Sequence, residues 1–180
     1  MNIQIYDNLF QEKIMDDAIK TVEACKNFYP LHPTNVGFKL NWTFYNPKND
    51  IKEFTSQPML DLWNEVKKVL PEEAKLSRAY VNAQPFGIED YIHQDDTDLQ
   101  KGLTVIVYLT PAWLPEWFGQ TVFFKTTDRL SFRSENDIIK SVLPKYNRVL
   151  VFDKDIPHCV SPLSKKFMGI RFTCMFKIEL

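Results

Sequence analysis

His93 and Asp95 stand two residues apart in Tyr91-Ile92-His93-Gln94-Asp95, the first spacing along the chain that suggests chemistry. In an extended segment, side chains two apart project from the same face. The imidazole and the carboxylate then point together while Gln94 points away. Such a pair gives a metal two ligands and needs a third from elsewhere. The chain has three histidines, His32, His93 and His158. His158 follows the apolar run Arg148-Val149-Leu150-Val151-Phe152 and comes directly after Pro157, whose ring restricts the approach of the backbone. Two histidines and one carboxylate on one side of a metal leave positions open on the other, a ligand set suited to iron(II) and oxygen chemistry.

A second feature lies downstream. Arg171 sits in Gly169-Ile170-Arg171-Phe172-Thr173-Cys174-Met175-Phe176, an otherwise apolar run. An unpaired cation buried there would be costly, so Arg171 calls for an anion, and its planar fork suits a carboxylate. Thr173 shares its face and could add a hydroxyl donor. The alternatives are an internal Arg–Asp pair or a solvated strand face.

These residues need a scaffold, and the sequence predicts one of short helices followed by strands. Apolar residues recur at helical spacing over 8–26, with Asp7 as the expected N-cap. A second helix is expected from Pro58, favoured in a first turn, to Pro71, which stops it. Between them 40–45 reads as a strand ended by Pro47. From Ser77 onward, β-branched and aromatic runs alternate with Gly, Pro, Asp and Asn. Strands are expected at 79–83, 90–94, 103–110, 121–125, 138–143, 148–152 and 170–177. So many short strands without intervening helices point to a sandwich or jelly-roll and away from a parallel doubly wound sheet. The fold class is therefore mainly β (α+β), in a single domain over 1–180 with a helical front at 1–75 and a β core at 76–180.

In order along the chain, the flanking segments resemble those of iron(II)/2-oxoglutarate dioxygenases, most closely the prolyl 4-hydroxylase-like branch. Asn82-Ala83-Gln84-Pro85-Phe86-Gly87 is similar to the strand and glycine turn before that family's first ligands. Thr104-Val105-Ile106-Val107-Tyr108-Leu109-Thr110 resembles its TxxxYLN strand, and Trp117-Phe118-Gly119-Gln120-Thr121-Val122-Phe123-Phe124 its GGET-x-F segment. His158-Cys159-Val160-Ser161-Pro162 looks like its HxVxP ending. The resemblance covers residues 78–177. It implies a double-stranded β-helix (a jelly-roll or cupin-like barrel) with the helices packed on one sheet, and iron ligated by His93, Asp95 and His158. It also implies 2-oxoglutarate held through its far carboxylate by Arg171, with Tyr108 and Thr173 assisting; ordinary sheet packing is the other reading of Tyr108. O2 is the second co-substrate, and ascorbate is an allowed reductant. The activity implied is hydroxylation of a prolyl or other amino-acid side chain. Two departures stand out: Gln84 where the family often has tyrosine, and Phe118-Gly119 where it usually has Gly-Gly. Neither removes a ligand.

Composition narrows the partners. Net charge is −1 from 22 basic and 23 acidic residues, so no global footprint for nucleic acid is present. Lys177 stands near the place of the second arginine typical of the nucleic-acid demethylases in the same superfamily. No run approaches the ~18 apolar residues of a membrane helix, and the amino terminus MNIQIYDNLF has no signal-peptide pattern. Cys25, Cys159 and Cys174 lack CxxC spacing, which fits a reducing, cytoplasmic setting rather than a disulfide framework or a thiolate zinc site. The substrate expected is a small molecule, peptide or protein. Asp95, Asp96 and Asp98 do not make a calcium loop, having no glycine at the sixth position and no glutamate at the twelfth. Asp153 and Asp155 offer His158 a different metal site. A zinc hydrolase could use the same triad but has no need of a carboxylate clamp, and a silent cupin-like binding domain would keep the barrel without turnover. Trp113, Trp117 and Phe118 form either an apolar platform over the site or anchors onto the core. The loops 96–102 and 126–137 are the expected lids.

Overall fold

A computed structural model describes residues 2–26, 28–34, 37–88, 90–95, 101–125 and 137–180. Along the chain it contains β1 (Ile3–Asp7), α1 (Glu12–Ala24), β2 (Tyr29–Thr34), β3 (Gly37–Tyr45), α2 (Gln57–Val66) and β4 (Lys75–Pro85). Then follow β5 (Gly102–Tyr108), β6 (Thr121–Phe124), β7 (Ile138–Val142), β8 (Arg148–Asp153), β9 (His158–Val160) and β10 (Ile170–Glu179). A seven-stranded sheet has the order β1-β8-β5-β10-β4-β3-β2, and a three-stranded sheet the order β7-β6-β9. Every pairing is antiparallel.

The period-two alternation of β5 and β10 builds two cores. Val105, Val107, Cys174, Phe176 and Ile178 face α1 and α2, where they meet Met15, Val22, Leu62 and Trp63. Ile106, Tyr108 and Met175 face the other way and pack with Phe123 of β6, Val142 of β7 and Phe152 of β8. The layers are thus helices, large sheet and small sheet, the double-stranded β-helix that the resemblance implied. On β10 the inward face carries Arg171, Thr173, Met175 and Lys177.

The front of the chain differs from its expected form. Besides its two helices and the expected strand at 40–45, which lies within β3, it contributes β1 and β2 to the large sheet. Asp7 does not cap α1; the N-cap is Gln11, which makes no side-chain cap bond. Asp7 instead ends β1 and accepts 2.7 and 3.0 Å hydrogen bonds from Arg148 of β8. That bidentate pair joins the β1 edge to the barrel and holds the Asp7 carboxyl well below the usual carboxylate range. Helix α2 starts with Pro58 in its first turn as expected, and continues as a short 3-10 turn over Lys67–Val69 before Pro71. The lid loops 96–102 and 126–137 lie, apart from their ends, outside the described residues.

Candidate functional site

The expected strand at 90–94 is absent; its pairing reduces to one bridge between His93 and His158. His93 N–H donates to His158 O and His158 N–H to His93 O, both at 2.9 Å. Two residues on, Asp95 N–H donates to Lys154 O at 3.0 Å, and the Gln94 amide reaches Asp155 O. These few bonds suffice to keep 93 and 95 on one face. The segment serves as a ligand arm clipped to the small sheet rather than as a full strand.

The arm brings His93, Asp95 and His158 together, each offering a ligand atom within 4.8 Å of the others. His93 Nε2 lies 3.8 Å from Asp95 Oδ1, and His158 Nε2 lies 3.5 Å from Asp95 Oδ2. A metal with bonds of roughly 2.0–2.2 Å to each would fit among them. Both Nδ1 atoms are spoken for by carbonyl oxygens, Tyr91 O and Ile156 O, at 2.9 Å. A carbonyl can only accept, so Nδ1 carries the proton and Nε2 presents its lone pair to the site. Burial pushes His158 down to about 4, against the pull of Asp95, so the imidazole is neutral and ready to ligate at neutral pH.

Asp95 is the most heavily supported member. Thr104 of β5 donates to Oδ2 at 2.8 Å, and the Lys177 ammonium of β10 also contacts Oδ2. Burial alone would raise this carboxyl, but Lys177 and the two imidazoles outweigh it and hold Asp95 well below the usual range. Lys177 also donates to Thr104 at 3.2 Å. Burial opposes the charge of Lys177, while Tyr80 and Asp95 more than restore it. Among the described residues no donor engages Oδ1, so this oxygen is left to face a metal. The sequence placed Lys177 near the position of a second arginine and Thr104 at the head of a family-like strand, but gave neither a role beside the ligands. Lys177 shares the phase of Arg171 on β10, which placed it on the inward face.

Arg171 lies between the sheets at 2% exposure, beside Gln84, Tyr108, Thr121 and Thr173, all buried. Its Nη1 donates to Gln84 Oε1 at 3.4 Å, while Nε and Nη2 have no partner among the described residues. Its guanidinium carbon lies 5.3 Å from the centre of the Tyr108 ring. Tyr108 and Thr121 share a 2.7 Å hydroxyl bond, and burial pushes the Tyr108 phenol up. Burial lowers Arg171, opposed mainly by Tyr108 and less by the charge of Asp90, which also stands 4.0 Å from His93 Nδ1. Of the two alternatives, an internal Arg–Asp hydrogen-bonded pair is not formed among the described residues, and the strand face is not solvated. A buried fork with free N–H groups suits a carboxylate of a bound molecule.

The family model of the 2OG-Fe(II) oxygenase superfamily matches residues 87–176, half of the chain. The chain belongs to the 2OG-Fe(II) oxygenase superfamily. Its chemistry accordingly uses iron(II), 2-oxoglutarate and O2. The fold is shared with a Pseudomonas putida prolyl-4-hydroxylase at 14% identity and TM-score 0.69, over 99% of this chain and 92% of that one. It is shared too with HygX from Streptomyces hygroscopicus, a structure with nickel and 2-oxoglutarate bound, at 14% identity, TM-score 0.66 and 98% and 82% coverage. A viral collagen prolyl hydroxylase from Paramecium Bursaria Chlorella virus-1, in its 2OG complex, aligns at 14% identity and TM-score 0.56 over 99% of this chain and 96% of that one. No curated protein matches the sequence.

Around the oxygenase site, Trp113 and Trp117 pack on Phe167 with ring centres 4.8 and 4.9 Å away. They anchor the loop before β6 rather than forming a free platform, and Phe118 alone of the three is exposed. His32 lies on β2, the strand at the far edge of the large sheet. Among the described residues no helix is long and apolar enough to cross a membrane.

Proposed function

We propose that this oxygenase is a hydroxylase of a prolyl or other amino-acid side chain, with iron held by His93, Asp95 and His158. Arg171 takes the far carboxylate of 2-oxoglutarate, with Tyr108 and Thr173 beside it. The observation that carries this reading is Arg171, a buried cation whose Nε and Nη2 have no partner among the described residues, inside the barrel that also holds the triad. Only an anionic ligand completes that site. A hydrolase built on the same triad would leave Arg171 unexplained.

Iron(II) with 2-oxoglutarate and O2 supplies the oxidation: one oxygen atom enters the substrate C–H bond and the other enters succinate as CO2 leaves. The chain's own groups orient and neutralise. Lys177 and Thr104 fix Asp95 through Oδ2 and leave Oδ1 to the metal. The carbonyls of Tyr91 and Ile156 fix both imidazole tautomers. Phe123 and Phe152 flank His158 with ring centres at 6.1 and 4.9 Å and keep water from that side. The amino-acid side chain as substrate is suggested by the fold shared with a prolyl-4-hydroxylase.

The test is an anaerobic titration of metal-free protein with iron(II) and then 2-oxoglutarate. A weak visible charge-transfer band is expected in the parent and its loss in His158→Ala. In air, succinate should form and should vanish in Asp95→Ala. No band in the parent, or a band surviving in His158→Ala, rejects the ligand assignment. A band without any succinate turns the reading to a silent binding domain.

A further inference from the structure

The Oδ2 atom of Asp95 is held by two residues that the sheet register sets opposite each other. Lys177 of β10 pairs with Thr104 of β5, and both side chains face the space between the sheets. Thr104 Oγ1 donates to Oδ2 at 2.8 Å. The Lys177 ammonium contacts the same oxygen and also donates to Thr104 Oγ1 at 3.2 Å. Thr104 already gives Oδ2 a donor, so what Lys177 adds to the ligand is chiefly a charge.

That charge is unfavourable where it stands unless Asp95 needs it. Only 18% of the Lys177 side chain is exposed, and burying a cation is costly without a partner. Across the sheet on the other side, Lys177 is paired with Arg78 of β4, and like charges directly opposite destabilise a sheet. A neutral residue would spare the strand both effects. The chain instead keeps an ammonium on one ligand of the metal.

Elementary electrostatics says what such a cation does. A positive charge one carboxylate away repels a trivalent ion more strongly than a divalent one. Sharing Asp95 with Lys177 also weakens the negative charge that the ligands present to the metal. Both effects favour iron(II) over iron(III).

We propose that Lys177 is a positioning residue that acts through Asp95 to raise the iron(III)/iron(II) potential and so keep the iron ferrous between turnovers. The event it opposes is the transfer of one electron from iron(II) to O2, which leaves as superoxide. Thr104 orients the carboxylate, and Lys177 sets its charge. This role of Lys177 rests on the metal reading of the triad given above.

The test is the midpoint potential of the iron-loaded protein without 2-oxoglutarate, measured anaerobically in the parent, Lys177→Gln, Lys177→Arg and Thr104→Val. Glutamine keeps a neutral donor near Oδ2. Arginine keeps the charge, and a cavity of about 380 Å³ lined by Lys177, Lys48 and Arg78 gives it room. In Lys177→Gln the preference for iron(II) over iron(III) should fall about tenfold or more, a drop of ~59 mV or more for one electron. Lys177→Arg should stay near the parent, and Thr104→Val should move the potential less than Lys177→Gln does. No drop in Lys177→Gln, an equal drop in Lys177→Arg, or a larger one in Thr104→Val overturns the proposal. The parent gives a second test that needs no variant to fold. In its zinc(II)-loaded form the ammonium held on Asp95 should show a slowly exchanging Nζ–H resonance, and absence of that signal means that metal displaces Lys177 and overturns the proposal. Failure of the parent to bind iron(II) or zinc(II) at all instead rejects the triad reading, so the two failures are distinct.

Discussion

Replacing Arg171 by Met separates what this cation costs the folded chain from what it does for the co-substrate. In the metal-free protein Arg171 is 2% exposed, with Nε and Nη2 unpartnered among the described residues. Buried unsatisfied donors cost about 1–3 kcal/mol. Methionine keeps much of the aliphatic length and lacks those donors. The hydrogen bond lost, to Gln84 Oε1 at 3.4 Å, is long and contributes little. The metal-free variant should thus be as stable as the parent or more stable by about 1–2 kcal/mol. For a chain of this size that is a rise of up to roughly 8 °C in Tm. Binding should move the opposite way. Removing one partner of a buried, hydrogen-bonded charge pair costs about 2–5 kcal/mol, a ~30- to 5,000-fold rise in the Kd of 2-oxoglutarate. Thermal unfolding with and without 2-oxoglutarate, and anaerobic calorimetry on the iron(II)-loaded protein, read both quantities. An unchanged Kd would refute the clamp. Marked destabilisation of the metal-free variant would show that Arg171 is a structural ion.

The pH dependence of metal-free stability has a defined sign. His158 titrates lower in the folded protein, at about 4, than the 6.5 of an exposed histidine, so the unfolded chain binds the proton first. Stability should be flat above pH 6.5 and fall by roughly 3 kcal/mol toward pH 4; denaturant melts of His158→Gln that retain this slope would sink the explanation. Asp7 and Asp95 are depressed, so their contribution is lost below the ordinary carboxylate pKa of 3.8 and adds a second acid limb. Phe118 holds φ 58° and ψ −131° where the family usually has glycine, and its side chain is 52% exposed. Such backbone strain costs about 1–3 kcal/mol, partly offset by the flexibility of glycine, so Phe118→Gly should raise stability by about 1 kcal/mol; a lower Tm would contradict it. Gly119 disfavours a side chain: its φ is 70°, and a Cβ there would lie 2.6 Å from Leu163 Cδ2, so the turn that touches Arg171 Cδ would have to shift. Gly119→Ala should therefore raise the KM for 2-oxoglutarate as well as lower Tm, and a normal KM would separate this turn from the clamp. Asn147 is buried at φ 60° and bonds both Phe10 N and Phe10 O, at 3.0 and 2.8 Å. Asn147→Ala should cost about 2 kcal/mol or more in chemical denaturation; a neutral result would mean that water replaces both bonds.

Much of the site was legible in the sequence because its ligands are scarce and their spacing is local. His93-x-Asp95 works at the level of one extended arm, and His158 follows a strand whose apolar run marks it plainly. Arg171 was legible for a different reason: a lone cation in an apolar strand stands out against its neighbours. The mainly β architecture followed from strand texture and from turn residues at regular intervals. Local signals failed where long-range pairing set the outcome. β1 exists because Ile3–Asp7 pairs antiparallel with β8, about 145 residues downstream, a pairing that no local pattern specifies. Asp7 took Arg148 as its partner instead of the first turn of α1 for the same reason.

The sequence by itself determined which residues could ligate a metal, that a buried arginine needed an anion, and the class of fold that carries both. Tertiary structure alone decided which groups surround them. Lys177 meets Asp95 only because β10 lies beside β5, so that the inward face of one strand reaches the start of the other. Arg78 and Lys48 reach a common cavity only through the pairing of β3, β4 and β10. Spacing along a chain fixes which side chains share a face. Which faces come together depends on strand order and register, which are set by packing over the whole domain.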